Sequence, residues 1–177
     1  MILPNYEDVM EWEGLGNYAI KKYYKWPFRF LYRKKLQMAL NMLDEDTVYS
    51  RTLDFGCGPA RIFEKELARR SLYVDCVDRL WDIPEHYYEL ITCLSVLEFV
   101  DLPATLKRLD YHMADNGILV VASPILSPLS KLYYRLCGSK YDRNSKEEIL
   151  KQIKKQFIIE EYTEWFGLYF CLRAKRK

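Results

Sequence analysis

From Arg51 onward the chain alternates between short apolar runs and longer stretches in which apolar residues recur three and four positions apart. The runs "RTLDF" (51–55), "LYVDCVD" (72–78), "ELITCLS" (89–95) and "GILVVAS" (117–123) are β-branched or apolar and bounded by turn residues, as buried parallel strands are. Between them, "ARIFEKELARR" and "PATLKRLDYHMA" have the spacing of amphipathic helices. Strand, helix, strand predicts an α/β fold with a doubly wound, mostly parallel sheet. Toward the carboxyl end, "SKEEILKQIKKQ" opens with Ser145 and has Glu148 three residues on, a capping box that predicts a helix with Ile149, Leu150 and Ile153 as its apolar face. "FIIEEYTEW" and "LYFCLRAKR" then flank Phe166-Gly167, which predicts an antiparallel hairpin.

Before residue 50 the pattern predicts a helix, a break at Trp26-Pro27, and a second, longer helix with Pro27 in its first turn. Leu31, Met38, Leu40 and Leu43 are positioned to pack it on the sheet. The basic and aromatic residues Lys21 to Lys25 and Phe28 to Lys35 fit a solvated face with apolar stems lying along the surface. A lid or a surface touching phosphate groups is the functional alternative. The expected organisation is one unit, with residues 1–50 as packing or lid helices on a core of 51–177 that carries an insertion at 124–145.

Composition adds exclusions. Of the 177 residues, 29% are charged and the formal charge is only +2, so neither disorder nor general nucleic-acid affinity is suggested. The longest uncharged run, Asn116 to Ser130, carries two prolines and falls short of the roughly 20 apolar residues of a membrane span. The amino terminus lacks a basic start followed by an apolar core, so a cytoplasmic protein is expected. Five cysteines form no CxxC pair; Cys57, Cys76 and Cys93 fit reduced, buried thiols, and no metal site is expected.

The chemistry concentrates at "RTLDFGCGPAR". A strand ending in Asp54 and followed by Gly56-Cys57-Gly58 lets backbone turn sharply and approach a ligand, and a helix beginning near Pro59 would offer unpaired N–H groups. A dinucleotide fingerprint requires a third glycine where Arg61 stands, and Asp54 would repel a pyrophosphate but suit a ligand bearing an ammonium group.

"LDFGCGPAR" resembles the first motif of class I S-adenosylmethionine-dependent methyltransferases. Asp78 at the end of "DCVD", the run "YELITCLSVLEFVD" and the turn and strand "MADNGILVVASP" continue the resemblance in the family's order over residues 51–124. The resemblance implies a Rossmann-like methyltransferase sheet with S-adenosylmethionine as cofactor. Its methionine end would lie over Gly56, Cys57 and Gly58 with Asp54 near the amino group, and Asp78 would accept from the ribose hydroxyls. Arg79, Leu80 and Trp81 would cover the adenine, and Leu94 and Ser95 would open toward the methyl group.

Only ten residues separate Asp78 from Glu89, too few for a crossover helix and its strand, so one helix–strand unit of the family sheet is expected to be missing. Trp81 and Asp82 are then the candidates to cover the purine face and accept from its exocyclic amine. Catalytic candidates are few: Glu98, followed by Phe99 where the resemblance often shows histidine, and the loop residue His86, with His112 expected to be structural. Leu94-Ser95-Val96-Leu97 replaces the Asn/Asp-Pro-Pro-aromatic clamp of base-amine methylases, which disfavours an adenine amine as target. The insertion mixes apolar, tyrosine and basic residues, which favours a small or amphiphilic acceptor over duplex nucleic acid. A non-catalytic binding module or partner subunit is the competing reading, and RNA methylation a third.

Overall fold

A computed structural model describes residues 28–58, 61, 63–137 and 144–177. The expected helix before Trp26-Pro27, and Lys21 to Lys25 within it, lie outside these residues. The elements are α1 (Phe28–Leu40), β1 (Tyr49–Phe55), α2 (Glu64–Leu67), β2 (Ser71–Val77), β3 (Tyr88–Leu94), α3 (Leu102–Tyr111), β4 (Met113–Pro124), α4 (Pro128–Cys137), α5 (Lys146–Gln156), β5 (Phe157–Trp165) and β6 (Tyr169–Arg176). Single 3₁₀ turns occupy Leu80–Asp82 and Leu97–Phe99.

Six strands form one sheet in the order β2-β1-β3-β4-β6-β5. β1 pairs in parallel with β2 and β3, and β3 with β4, whereas β6 runs antiparallel to both β4 and β5. Among the described residues, no strand lies beyond β2. The link from Val77 to Tyr88 crosses β1 with a single 3₁₀ turn, so the expected loss of one helix–strand unit is what the sheet has. A link of that length manages the return because it is largely extended, at about 3.3 Å per residue, and lays Leu80 and Ile83 against the core as it passes.

Two apolar layers sandwich the sheet, one from each side of the strands' alternation. Leu53, Phe55, Ile91, Cys93, Leu119 and Val121 face α3 and α5 through Leu102, Leu106, Leu109, Ile149 and Ile153. Leu90, Val120 and Ala122 face α1 and α2 through Tyr32, Leu36, Ala39, Leu43 and Leu67. Arg173 of β6 fastens the end of α1, holding both oxygens of Asp44 at 2.8 and 3.0 Å and the carbonyl of Met42 at 3.2 Å.

Three local expectations need correction. The amphipathic stretch after the glycines yields a helix of only four residues, Glu64–Leu67; Arg61 adopts a left-handed φ of 44°, which a right-handed helix does not tolerate. β4 begins at Met113, running through the stretch expected to be a turn, and the register slips between Tyr88 and Leu90 to absorb it. Lys35, expected on the solvated face of α1, is 2% exposed.

The carboxyl-terminal elements follow the pattern closely. Ser145 caps α5 by accepting from the Glu148 N–H at 3.2 Å. Phe166 and Gly167, at φ 46° and 62°, are the central residues of a turn closed by the Leu168 N–H to the Trp165 carbonyl at 2.9 Å, within the three-residue link between the strands. Replacing Ser145 with Ala removes one cap hydrogen bond. We expect a loss of about 1 kcal/mol and a thermal midpoint lower by about 2 to 4 °C in a calorimetric scan.

Candidate functional site

The parallel strands β1 and β3 end side by side while their onward connections diverge, β1 toward β2 and β3 toward β4. Such a switch point opens a crevice at the strands' carboxyl ends. The glycine turn and Ser95 both lie at this point.

Each glycine has its own reason. Gly56, at φ 78°, donates its N–H to the Val77 carbonyl at 2.7 Å, and a Cβ there would stand 2.5 Å from Val96 Cβ. The segment after β3 therefore presses on the turn, and only a residue without a side chain fits. Gly58, at φ 67°, has open space where a Cβ would project. Its N–H donates to Asp78 Oδ1 at 2.7 Å, while the Cys57 thiol donates to the same oxygen at 3.7 Å. Asp78 is exposed just past β2, so its carboxylate closes the glycine turn from the side and still faces solvent.

Asp54 is 2% exposed, and its Oδ1 accepts from the Thr92 hydroxyl at 2.7 Å. Burial pushes its carboxyl up to about 7; the Thr92 hydrogen bond opposes that rise, the charges of Asp78 and Glu64 add to it, and Lys35 counteracts it. Lys35 enters the crevice from α1 and donates from Nζ to Ser95 Oγ at 2.7 Å, with the Tyr32 ring 4.5 Å away. Ser95 has a left-handed φ of 60°, held by its N–H donating to the Ala122 carbonyl at 2.7 Å. Leu94, half-buried, packs on the α1 side.

Beside Asp78, an open cleft of about 470 Å³ runs along Asp75, Cys76, Val77, Asp78, Arg79, Asp82 and Pro84. Of the pair expected over the purine, Asp82 lines this cleft and Trp81 does not: its side chain is 81% exposed. Leu80 turns inward onto the core. Cys57 and Cys76, expected to be buried, are only half-buried, and Cys76 lines this cleft. The Cys57 hydrogen bond and then burial push the Cys76 thiol up. Cys93 and Cys171 are buried, and burial raises both.

Glu98 is buried after β3 and accepts from Ser123 Oγ at 2.9 Å, while its backbone carbonyl accepts the Asn144 N–H. The Asn144 amide also donates to the carbonyls of Leu97 and Val100, tying the end of the insertion to this segment. His86 is exposed and precedes β3, so it lies at the opposite edge of the sheet, a strand's length of roughly 20 Å from Ser95. His112 is buried at that same edge, and burial lowers its pKa.

Lys35 is the site residue that sequence reasoning missed. The signal was present: Tyr32, Leu36 and Ala39 form a buried stripe of α1 that Met42 and Leu43 continue beyond its end, and position 35 falls inside it. Among the described residues, no three His, Cys, Asp or Glu side chains are placed to hold a metal, and no helix is long and apolar enough to cross a membrane.

No family model and no curated protein sequence matches the chain. Solved structures do. The N-methyltransferase NodS from Bradyrhizobium japonicum WM9, in complex with S-adenosyl-L-homocysteine, superposes with a TM-score of 0.68 at 13% identity, over 97% of this chain and 97% of that one. Geranyl diphosphate C-methyltransferase from Streptomyces coelicolor A3(2), in complex with Mg2+, geranyl diphosphate and S-adenosyl-L-homocysteine, superposes with a TM-score of 0.64 at 11% identity, over 99% of this chain and 87% of that one. At such identities the likeness speaks to architecture. The chain has the fold of the class I S-adenosylmethionine-dependent methyltransferases, shortened by the unit that would follow β2.

Proposed function

We propose that the chain transfers a methyl group from S-adenosylmethionine to a small-molecule or lipid-precursor acceptor. The observation that carries the reading is the Gly58–Asp78 closure: open space above a glycine, a carboxylate fixed by its N–H, and a buried carboxyl below. These groups suit a nucleoside with an amino-acid tail. Gly58 leaves room for the tail, and Asp54 offers an anion to its ammonium group. Asp78 Oδ2, which accepts no hydrogen bond among the described residues, is left for a ribose hydroxyl, while Asp82 provides an acceptor along the cleft.

When bound, S-adenosylmethionine supplies a sulfonium-activated methyl group for in-line displacement. The chain's own contribution is positional. Gly56 and Val96 fix the crevice floor, and Asn144 holds the segment carrying Leu97 and Glu98 over it. Glu98 is committed to Ser123, so proton removal from the acceptor is not assigned to it. Rate then comes from alignment and exclusion of water, which together account for much of the barrier in such displacements. On α4, which follows β4 at the crevice end of the sheet, Leu129 and Leu132 are exposed, as is Phe166 in the hairpin turn at that end; these support an acceptor with an apolar part. The exposed Trp81 and uncovered β2 favour the competing reading, a binding module without turnover.

Calorimetric titration of S-adenosylmethionine separates the two. We expect saturable binding to the native chain, at least about tenfold weaker for Asp78→Ala, which loses a charge-assisted partner. Gly58→Ala, whose methyl group projects into the open space, should weaken binding while costing only about 1 to 2 kcal/mol of stability. No heat with the native protein sinks the enzymatic reading.

A second expectation concerns pH. Asp54 must be ionised to meet an ammonium group, so affinity should rise with pH toward about 7 and fall again above about 8, where an α-amino group loses its proton. The same raised pKa means that the folded chain binds a proton more tightly than the unfolded chain between the ordinary carboxyl range and about 7. Stability is therefore lost as pH rises through that window. Asp54→Asn, whose amide oxygen still accepts from Thr92, should flatten this dependence and raise the thermal midpoint at pH 8 while weakening cofactor binding. A midpoint at pH 8 below that of the native chain would contradict it.

A further inference from the structure

We propose that Cys57 and Cys76 form a reversible oxidation site beside the cofactor cleft, closed to a disulfide by exchange with a small disulfide such as oxidised glutathione, and that closure weakens cofactor binding. The disulfide stands on the geometry of the turn alone; its coupling to the cofactor rests on the methyltransferase reading. Cys57 is the middle residue of the glycine turn, and Cys76 is the next-to-last residue of β2. β1 and β2 pair in register through Asp54–Cys76 and Phe55–Val77, and the Gly56 N–H extends that ladder by donating to the Val77 carbonyl at 2.7 Å. The backbone thus carries Cys57 back beside β2, where the two thiols meet in a hydrogen bond. Disulfide geometry demands that closeness before any bond forms.

Access and proton placement make the pair reactive. Both thiols are half-buried and Cys76 lines the cleft of about 470 Å³, which admits a small disulfide, whereas Cys93 and Cys171 are buried. Cys76 donates to the Cys57 sulfur, which supports negative charge there, and the Cys57 thiol faces Asp78 Oδ1 at 3.7 Å, an acceptor for its proton. Cys57 is therefore the attacking thiol. Its sulfur bonds to one sulfur of the small disulfide and expels the other half as a thiol; the Cys76 sulfur then bonds to Cys57 and expels the second half. The two cysteines give up two electrons and two protons, and the small disulfide takes up both and leaves as two thiols. The hydrogen bond to Cys57 and then burial hold the Cys76 proton, so the second step is the slower one. Closure draws the sulfurs in to about 2 Å and ends the donation from Cys57 to Asp78. The same Asp78 oxygen takes the Gly58 N–H at 2.7 Å, so closure disturbs the contact on which the cofactor reading rests. By linkage, a cofactor that favours the open turn resists closure by the factor that closure weakens it.

The test incubates the full chain with excess oxidised glutathione, with and without saturating S-adenosylhomocysteine, then alkylates it and digests it with trypsin without reduction. Peptides 52–61 and 71–79, each carrying one cysteine, should appear joined, two hydrogens lighter than their sum, and should separate on addition of dithiothreitol. S-adenosylhomocysteine should slow the joining at least about fivefold and should bind the oxidised chain at least about fivefold more weakly in calorimetry. Cys76→Ser should stop at a glutathione adduct on Cys57; if its thermal transition shows that it does not fold, Cys76→Ala makes the same comparison. Peptides that stay apart in the native chain, or Cys57 joined to a different cysteine, overturn the proposal. Joining that proceeds unslowed in a chain shown to bind S-adenosylhomocysteine overturns the coupling. Joining in a chain that binds no cofactor upholds the disulfide and removes methyl transfer, and the coupling with it.

Discussion

Asp54 follows Thr52 in a polar row on a face of the sheet that is otherwise apolar. A carboxyl group placed there must either keep its proton or be surrounded by donors and cations. The domain does some of both. Thr92 on the neighbouring strand donates to it, Lys35 descends from the helix above, and burial still leaves the group titrating near neutrality. Thr52, one turn of the pleat away, meets Ser71 in a buried hydroxyl pair at 2.6 Å, so the polar row is continuous but internally satisfied. Thr92, Lys35 and the Thr52–Ser71 pair together set the charge and hydrogen bonding around this one acid.

Much of the architecture was written in the apolar rhythm. Runs such as "ELITCLS" and "GILVVAS" are buried on both faces, and such runs have few alternatives to a central parallel strand. The hairpin was legible because Phe166-Gly167 interrupts two alternating segments, and α5 because Ser145 and Glu148 stand at capping distance. The short interval between Asp78 and Glu89 announced the missing unit by simple reach.

What stayed hidden depended on groups distant in sequence. The helix after the glycines lost most of its length to the backbone at Arg61, which side-chain periodicity does not report. Lys35 reads as a surface residue because lysine usually is one, although its place in the helical stripe argues otherwise, and Ser95, which it reaches, lies 60 residues away. Trp81 and Asp82 are adjacent in sequence yet part company in space, since a single 3₁₀ turn points one to solvent and the other along the cleft. Gly56 and Gly58 looked equivalent and are not: contact with Val96 requires the first, whereas the second faces open space and is favoured only by its φ of 67°.

The ten-residue passage from β2 to β3 changes the thermodynamics of the sheet less through chain entropy than through its edge. A further helix–strand unit would lengthen the loop closed by β1–β3 pairing by less than twofold, worth only about 0.5 kcal/mol. The larger consequence is that, among the described residues, β2 has a neighbouring strand on one side only, with Leu72 and Tyr73 exposed on it. Such an edge is a template on which another chain can add a strand. The ion pair of Arg51 with Asp75, 3.3 Å apart and partly exposed along that edge, places charge where intermolecular strand addition would have to desolvate it. At the border of the shortened sheet, that pair opposes the addition of a further strand.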